Sequence, residues 1–90
     1  MAYSEFRRSK KRRSRFDLTA AILKALMSES LTAYQMIFHL NLNAKRANKY
    51  LEELRQKGLV ELRRDGKIST YVITPKGIDW LNDYLKLIHE

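Results

Sequence analysis

Apolar residues recur along the chain at two different spacings, and the switches between them divide it into elements. Leu18, Ala21, Ile22, Ala25 and Leu26 fall three or four apart with Leu23 beside them, which predicts a helix over 17–28 with Asp17 as its cap; an extension back into the tail is the alternative, since Lys and Arg tolerate helices well. Thr32 and Gln35 are spaced as a capping box, with Leu31 and Met36 placed as a hydrophobic staple around it. The short helix they start buries Met36, Ile37 and Leu40 and ends near His39 or Leu40. After a tight turn Asn43 caps a third helix, which brings Ala44, Ala47, Leu51 and Leu54 to one side, with Tyr50 at its edge. Gly58 is placed to end it in a left-handed conformation.

The period then drops to two. Residues 59–63 and 68–73 are rich in strand formers and surround Asp65-Gly66, a short hairpin signal. Val60 and Leu62 alternate with Glu61 and Arg63, and Tyr71 and Ile73 with Thr70 and Val72, so one face can pack inward. Helical spacing returns at Thr74-Pro75, a cap followed by Pro at the first helical position. Ile78, Leu81, Leu85 and Ile88 carry it towards the C-terminus, and Trp80, Tyr84 and Leu87 form a second stripe alongside. Three helices, a hairpin and a last helix make an α+β, mostly α, architecture. The second and third helices have helix-turn-helix spacing and the hairpin stands as a wing. Ninety residues allow one small domain, expected over 16–90.

Charge adds a second segment. Residues 1–15 hold seven basic groups (Arg7, Arg8, Lys10, Lys11, Arg12, Arg13 and Arg15) against Glu5, a net +6. Residues 16–90 hold eleven basic and nine acidic groups, a net +2, so most of the attraction for a polyanion lies in this N-terminal arm. The arm has no aromatics between Arg7 and Arg15 on which to stack single-stranded bases. A flexible basic arm of this kind lies in a minor groove or along phosphates.

The folded part points the same way. Asn43, Lys45, Arg46 and Lys49 lie in the first two turns of the third helix, the part that reaches base edges when a helix enters a major groove. The acids Glu52 and Glu53 come later on the same helix. Arg63, Arg64 and Lys67 flank the hairpin tip, from which they can reach phosphates or a minor groove. The last helix is apolar over more than half its circumference, more than a small monomer's core needs. Trp80, Leu81, Tyr84, Leu85, Leu87 and Ile88 are therefore expected to form a homodimer interface.

Other classes have little support. No run of about 18 apolar residues is present to span a membrane, and no signal-peptide pattern follows the basic start. Cysteine is absent, and with it disulfides and thiolate metal sites. His39 and His89 lie about fifty residues apart, and no phosphate loop, metalloprotease motif or nucleophile–base arrangement is present. No enzyme activity, cofactor, metal or small-molecule effector is expected. A cytoplasmic, nucleoid-associated location fits this composition.

Two stretches carry a family resemblance: KYLEELRQKGLVE at 49–61 and YVITPKG at 71–77. With them the chain resembles winged helix-turn-helix proteins of the MarR/PadR/ArsR-like superfamily, and most of all small archaeal or archaeal-virus dimeric members. The resemblance implies that Asn43 to Gln56 is the recognition helix, Arg63 to Lys67 the wing tip and the last helix a dimerisation element. Two departures stand out: the last helix is short for a long coiled coil, and the basic arm is longer than the domain needs. The expected function is dimeric binding of double-stranded DNA as a transcriptional regulator. A non-specific chromatin-type protein and a protein–protein adaptor are the alternatives; double-stranded RNA fits less well, because its major groove is too deep and narrow for a helix.

Overall fold

The computed structural model describes residues 15–88. Helix α1 spans Arg15–Ser28, α2 Ala33–Leu40 and α3 Ala44–Gln56; strands β1 (Val60–Asp65) and β2 (Ile68–Ile73) follow, then α4 (Pro75–Ile88). Ile22, Leu23, Met36, Leu51, Leu54 and Val60 are fully buried, so α1, α2, α3 and the base of the hairpin close one core, with Leu81 entering it from α4. Among the described residues no helix is long and apolar enough to cross a membrane.

The local signals for α2, α3 and α4 act as expected. Thr32 Oγ1 accepts from the Gln35 amide at 3.0 Å, and the Gln35 side chain accepts from the Thr32 amide at 2.9 Å, which completes the capping box. Leu31 and Met36 are both buried. Asn43 Oδ1 accepts from the Arg46 amide at 3.1 Å. Asn41 turns the chain between α2 and α3 in a left-handed conformation (φ 54°), which Asn tolerates better than most residues. Gly58 does the same after α3 (φ 81°). Thr74 caps α4 and ties it to the hairpin: its hydroxyl donates to the Gly58 carbonyl at 2.6 Å and accepts from the Gly77 amide at 3.0 Å.

Four details differ from expectation. Helix α1 begins at Arg15, so Asp17 lies inside its first turn, and its carboxylate accepts from the Tyr84 hydroxyl of α4 instead of capping. Strand β1 runs to Asp65, which pairs with Ile68. The two turn residues are therefore Gly66 and Lys67, not Asp65 and Gly66, and Gly66 (φ 65°) is the first central residue of the turn. The hairpin also reaches past the core, so Leu62 is 40% exposed despite its inward register. Finally, Leu31 and Tyr71 exchange backbone hydrogen bonds of 3.2 and 2.7 Å, which adds a one-residue bridge beside β2.

Candidate nucleic-acid interface

The first two turns of α3 face solvent. Only Ala47 is buried there, while Lys45, Arg46, Asn48 and Lys49 are exposed. Asn43 is exposed too, but its side-chain oxygen is engaged as the helix cap. Asn48 escapes sequence reading because it carries no charge. A helical wheel sets it beside Lys45 on the outer face, and its amide has the donor–acceptor pair that can read adenine.

Three of the nearby acids, Glu52, Glu53 and Glu61, are paired within the protein, while Asp65 at the wing tip is exposed. Glu52 pairs with Arg55, whose hydrogen bond holds the carboxyl below the usual glutamate value. Glu53, one turn from Lys49, pairs instead with Arg15 of α1 at 2.7 Å. Glu61 on β1 pairs with Arg63 at 3.2 Å. Exposed pairs like these add little stability, so Leu51 and Leu54 hold α3 in place. The effect of the pairs is on the field: Lys45, Arg46, Lys49, Arg64 and Lys67 make no ion pair among the described residues.

Strand register separates the wing arginines. Glu61, Arg63 and Asp65 share one face, and Val60, Leu62 and Arg64 the other. Arg63 is thus held beside Glu61, whereas Arg64 lies on the face that continues to buried Val60 and Tyr71. Among the described residues Arg64 and Lys67 make no ion pair.

Of the arm, Arg7, Arg8, Lys10, Lys11, Arg12 and Arg13 lie outside the described residues. Arg15 belongs to α1. Its side chain reaches back over α3, to Glu53 and across the Tyr50 ring at 5.6 Å.

The residues expected at a dimer interface divide. Leu81 is 3% exposed and part of the protomer's own core, so it is not available to a partner. Leu85 is partly buried against that core. Trp80 stacks on Tyr84 (5.6 Å, 9°) and on Phe16 (6.3 Å, 26°). The hydrogen bond to Asp17 pushes the Tyr84 phenol above its ordinary pKa. Leu87 (75%) and Ile88 are exposed, and so is Phe16 (68%), which sequence reading did not single out. Tyr34 and Phe38, one turn apart on α2, are exposed as well. No effector pocket was expected, yet an open cleft of about 420 Å³ lies between α1, α3 and α4. Arg15, Lys57 and Lys76 line it along with Phe16, Tyr50 and Trp80, residues too far apart in sequence to signal it. Among the described residues no cluster of His, Cys, Asp or Glu could hold a metal ion.

A helix-turn-helix followed by a two-stranded wing defines the class of winged-helix proteins. The winged helix-turn-helix family model matches residues 12–90, and the chain belongs to that family. No curated protein matches it. Among solved structures, the transcriptional regulator BldR from Sulfolobus solfataricus is 28% identical with a TM-score of 0.73, over 80% of this chain and 54% of that one. MepR, a transcription regulator of a Staphylococcus aureus multidrug efflux pump, is 19% identical with a TM-score of 0.71, over 82% of this chain and 56% of its own. A point variant of MepR bound to an oligodeoxyribonucleotide is 18% identical with a TM-score of 0.73, over 84% and 57%. The chain spans about half the length of these regulators.

Proposed function

We propose that this chain is a double-stranded DNA-binding transcriptional regulator that works as a dimer. Helix α3 enters the major groove, where Arg46, Lys49 and Asn48 read base edges. Arg64 and Lys67 of the wing, together with the basic arm, bind flanking phosphates or a minor groove. The observation that carries this reading is the exposed basic face formed by Lys45, Arg46, Lys49, Arg64 and Lys67, which make no ion pair among the described residues and whose neighbours Glu52, Glu53 and Glu61 are each engaged by another cation. The family fold supports it, as do the regulators of similar structure, one of them bound to an oligodeoxyribonucleotide. Phe16, Trp80, Tyr84, Leu87 and Ile88 supply the dimer face, which sets two α3 helices about 34–36 Å apart, one turn of DNA. As a DNA-bound regulator it would sit on the cytoplasmic nucleoid.

The test is fluorescence anisotropy on random and genomic duplex pools from about 50 to 300 mM salt, where phosphate contacts dominate at the low end. A site-specific regulator binds one pool member some 10³-fold or more tighter than the rest. Arg46→Ala then lowers affinity for that member by about tenfold more than for random duplex, the effect of a lost base contact. Equal losses on both sink the base-reading role of Arg46. Uniform, steeply salt-dependent binding identifies a chromatin-type protein. One observation favours a protein-adaptor role, the exposed Tyr34–Phe38 ridge on α2, and absence of duplex binding near 150 mM salt would point there.

A further inference from the structure

We infer that Tyr50 is a positioning residue for the recognition helix: its hydroxyl, clasped between Arg15 and Thr19, sets the rotation of α3 about its own axis. That rotation fixes where Arg46 and Lys49 meet DNA. The inference rests on the DNA-binding reading above.

The cluster joins two helices through directional contacts. The Tyr50 hydroxyl donates to the Arg15 carbonyl at 2.7 Å. It also touches Thr19 Oγ1. A phenol has one proton to give, so in this second contact the threonine donates to Tyr50. Arg15 and Thr19 lie one turn apart on α1, and the single oxygen therefore grips the first turn of that helix. The Arg15 side chain lies over the Tyr50 ring and goes on to Glu53, three residues further along α3. Thr19 is the one buried polar side chain among the described residues.

The hydroxyl adds a directional constraint to the packing of α3. Leu51 and Leu54 hold α3 against the core, but the hydrophobic effect itself has no preferred direction. Ahead of Tyr50 only Ala47 is buried, so the DNA-facing turns project from the body with little else to hold their azimuth. Arg46 precedes Tyr50 by one turn and lies on the same side of the helix. A rotation of about 10° moves a point at the helix's outer radius of about 5–6 Å by about 1 Å. Hydrogen-bond distances to base edges span only about half an ångström, so such a slip breaks a bidentate contact. Phosphate contacts tolerate it, because a flexible lysine or arginine can follow a backbone charge.

The test compares the full chain and its Tyr50→Phe variant on two duplexes, the one most enriched from a random pool and a random one of equal length. Phenylalanine keeps the ring beneath Arg15 and removes only the hydroxyl. Affinity for the preferred duplex should fall about tenfold, as for one mismatched base pair, while random-duplex affinity stays within about twofold. Thr19→Val should reproduce the loss of discrimination. Gln56→Ala, exposed in the last turn of the same helix and outside the cluster, should leave the ratio of the two affinities unchanged. Equal losses on both duplexes make Tyr50 a merely structural residue and overturn the inference, and so does an unchanged ratio. Either of those results leaves the DNA-binding reading standing. A wild-type chain that binds no duplex, or all duplexes alike, overturns both.

Discussion

At Gly77 a single hydrogen decides whether two elements can meet. The residue is buried in the first turn of α4, where its amide completes the Thr74 cap. A Cβ built there would lie 2.3 Å from the Leu59 carbonyl oxygen and 2.8 Å from Ile73 Cγ1. The oxygen is backbone, held by the Thr74 amide at 3.2 Å, and cannot swing aside. Gly77→Ala should therefore destabilise the fold by about 2 kcal/mol or more, which for a domain of this size lowers the melting temperature by roughly 8–16 °C. A thermal melt by circular dichroism checks this, and an unchanged midpoint would mean the helix start relaxes at no cost. The sequence shows the glycine inside a motif but not this reason for it. Caps were legible because donor and acceptor lie three residues apart, as at Thr32, Asn43 and Thr74. Tyr50 with Thr19, 31 positions away, and Tyr84 with Asp17, 67 away, were not, since only the folded chain brings them together. Asp17 was misread for the same reason: its partner is on another helix.

Among the elements, the wing shows how much a register decides. Residues at the hairpin tip look equivalent in sequence, yet strand alternation sends Arg63 and Arg64 to opposite faces. Arg63 is beside Glu61 and partly neutralised, whereas Arg64 makes no ion pair among the described residues. If the wing lies on phosphates, Arg64→Ala should cost about one phosphate contact and make the slope of log affinity against log salt shallower by about 0.9. Arg63→Ala should change that slope by less than half as much, because its guanidinium is already held by Glu61 and is not free for a phosphate. Equal effects from the two variants would show that the tip rearranges on DNA. Element types and order were legible from period alone, as the hairpin between residues 59 and 73 and the Thr74-Pro75 start of α4 show. Less legible were features set by neighbours: the turn moved by one residue because Asp65 pairs with Ile68, and Leu31 joined Tyr71 although nothing local marks it as a strand.

Across the whole molecule, charge and fold are divided between different parts of the chain. Residues 16–90 carry a net +2 and every base-reading candidate, whereas residues 1–15 carry +6. If both parts bind one duplex, affinity and specificity come from different places, since phosphate contacts carry no sequence information. Removing residues 1–13 takes away six basic groups and no residue of a described element, because α1 begins at Arg15. The truncated chain should bind all duplexes more weakly at low salt, with a log–log salt slope shallower by about 0.9 for each phosphate the arm covers. Its ratio of preferred-site to random-duplex affinity should stay within about threefold of the full chain's, far inside the usual specificity gap. An unchanged slope would put the arm off the DNA. A slope that flattens together with a collapsed ratio would instead make the arm a reader of base edges, with the recognition helix no longer the main source of specificity.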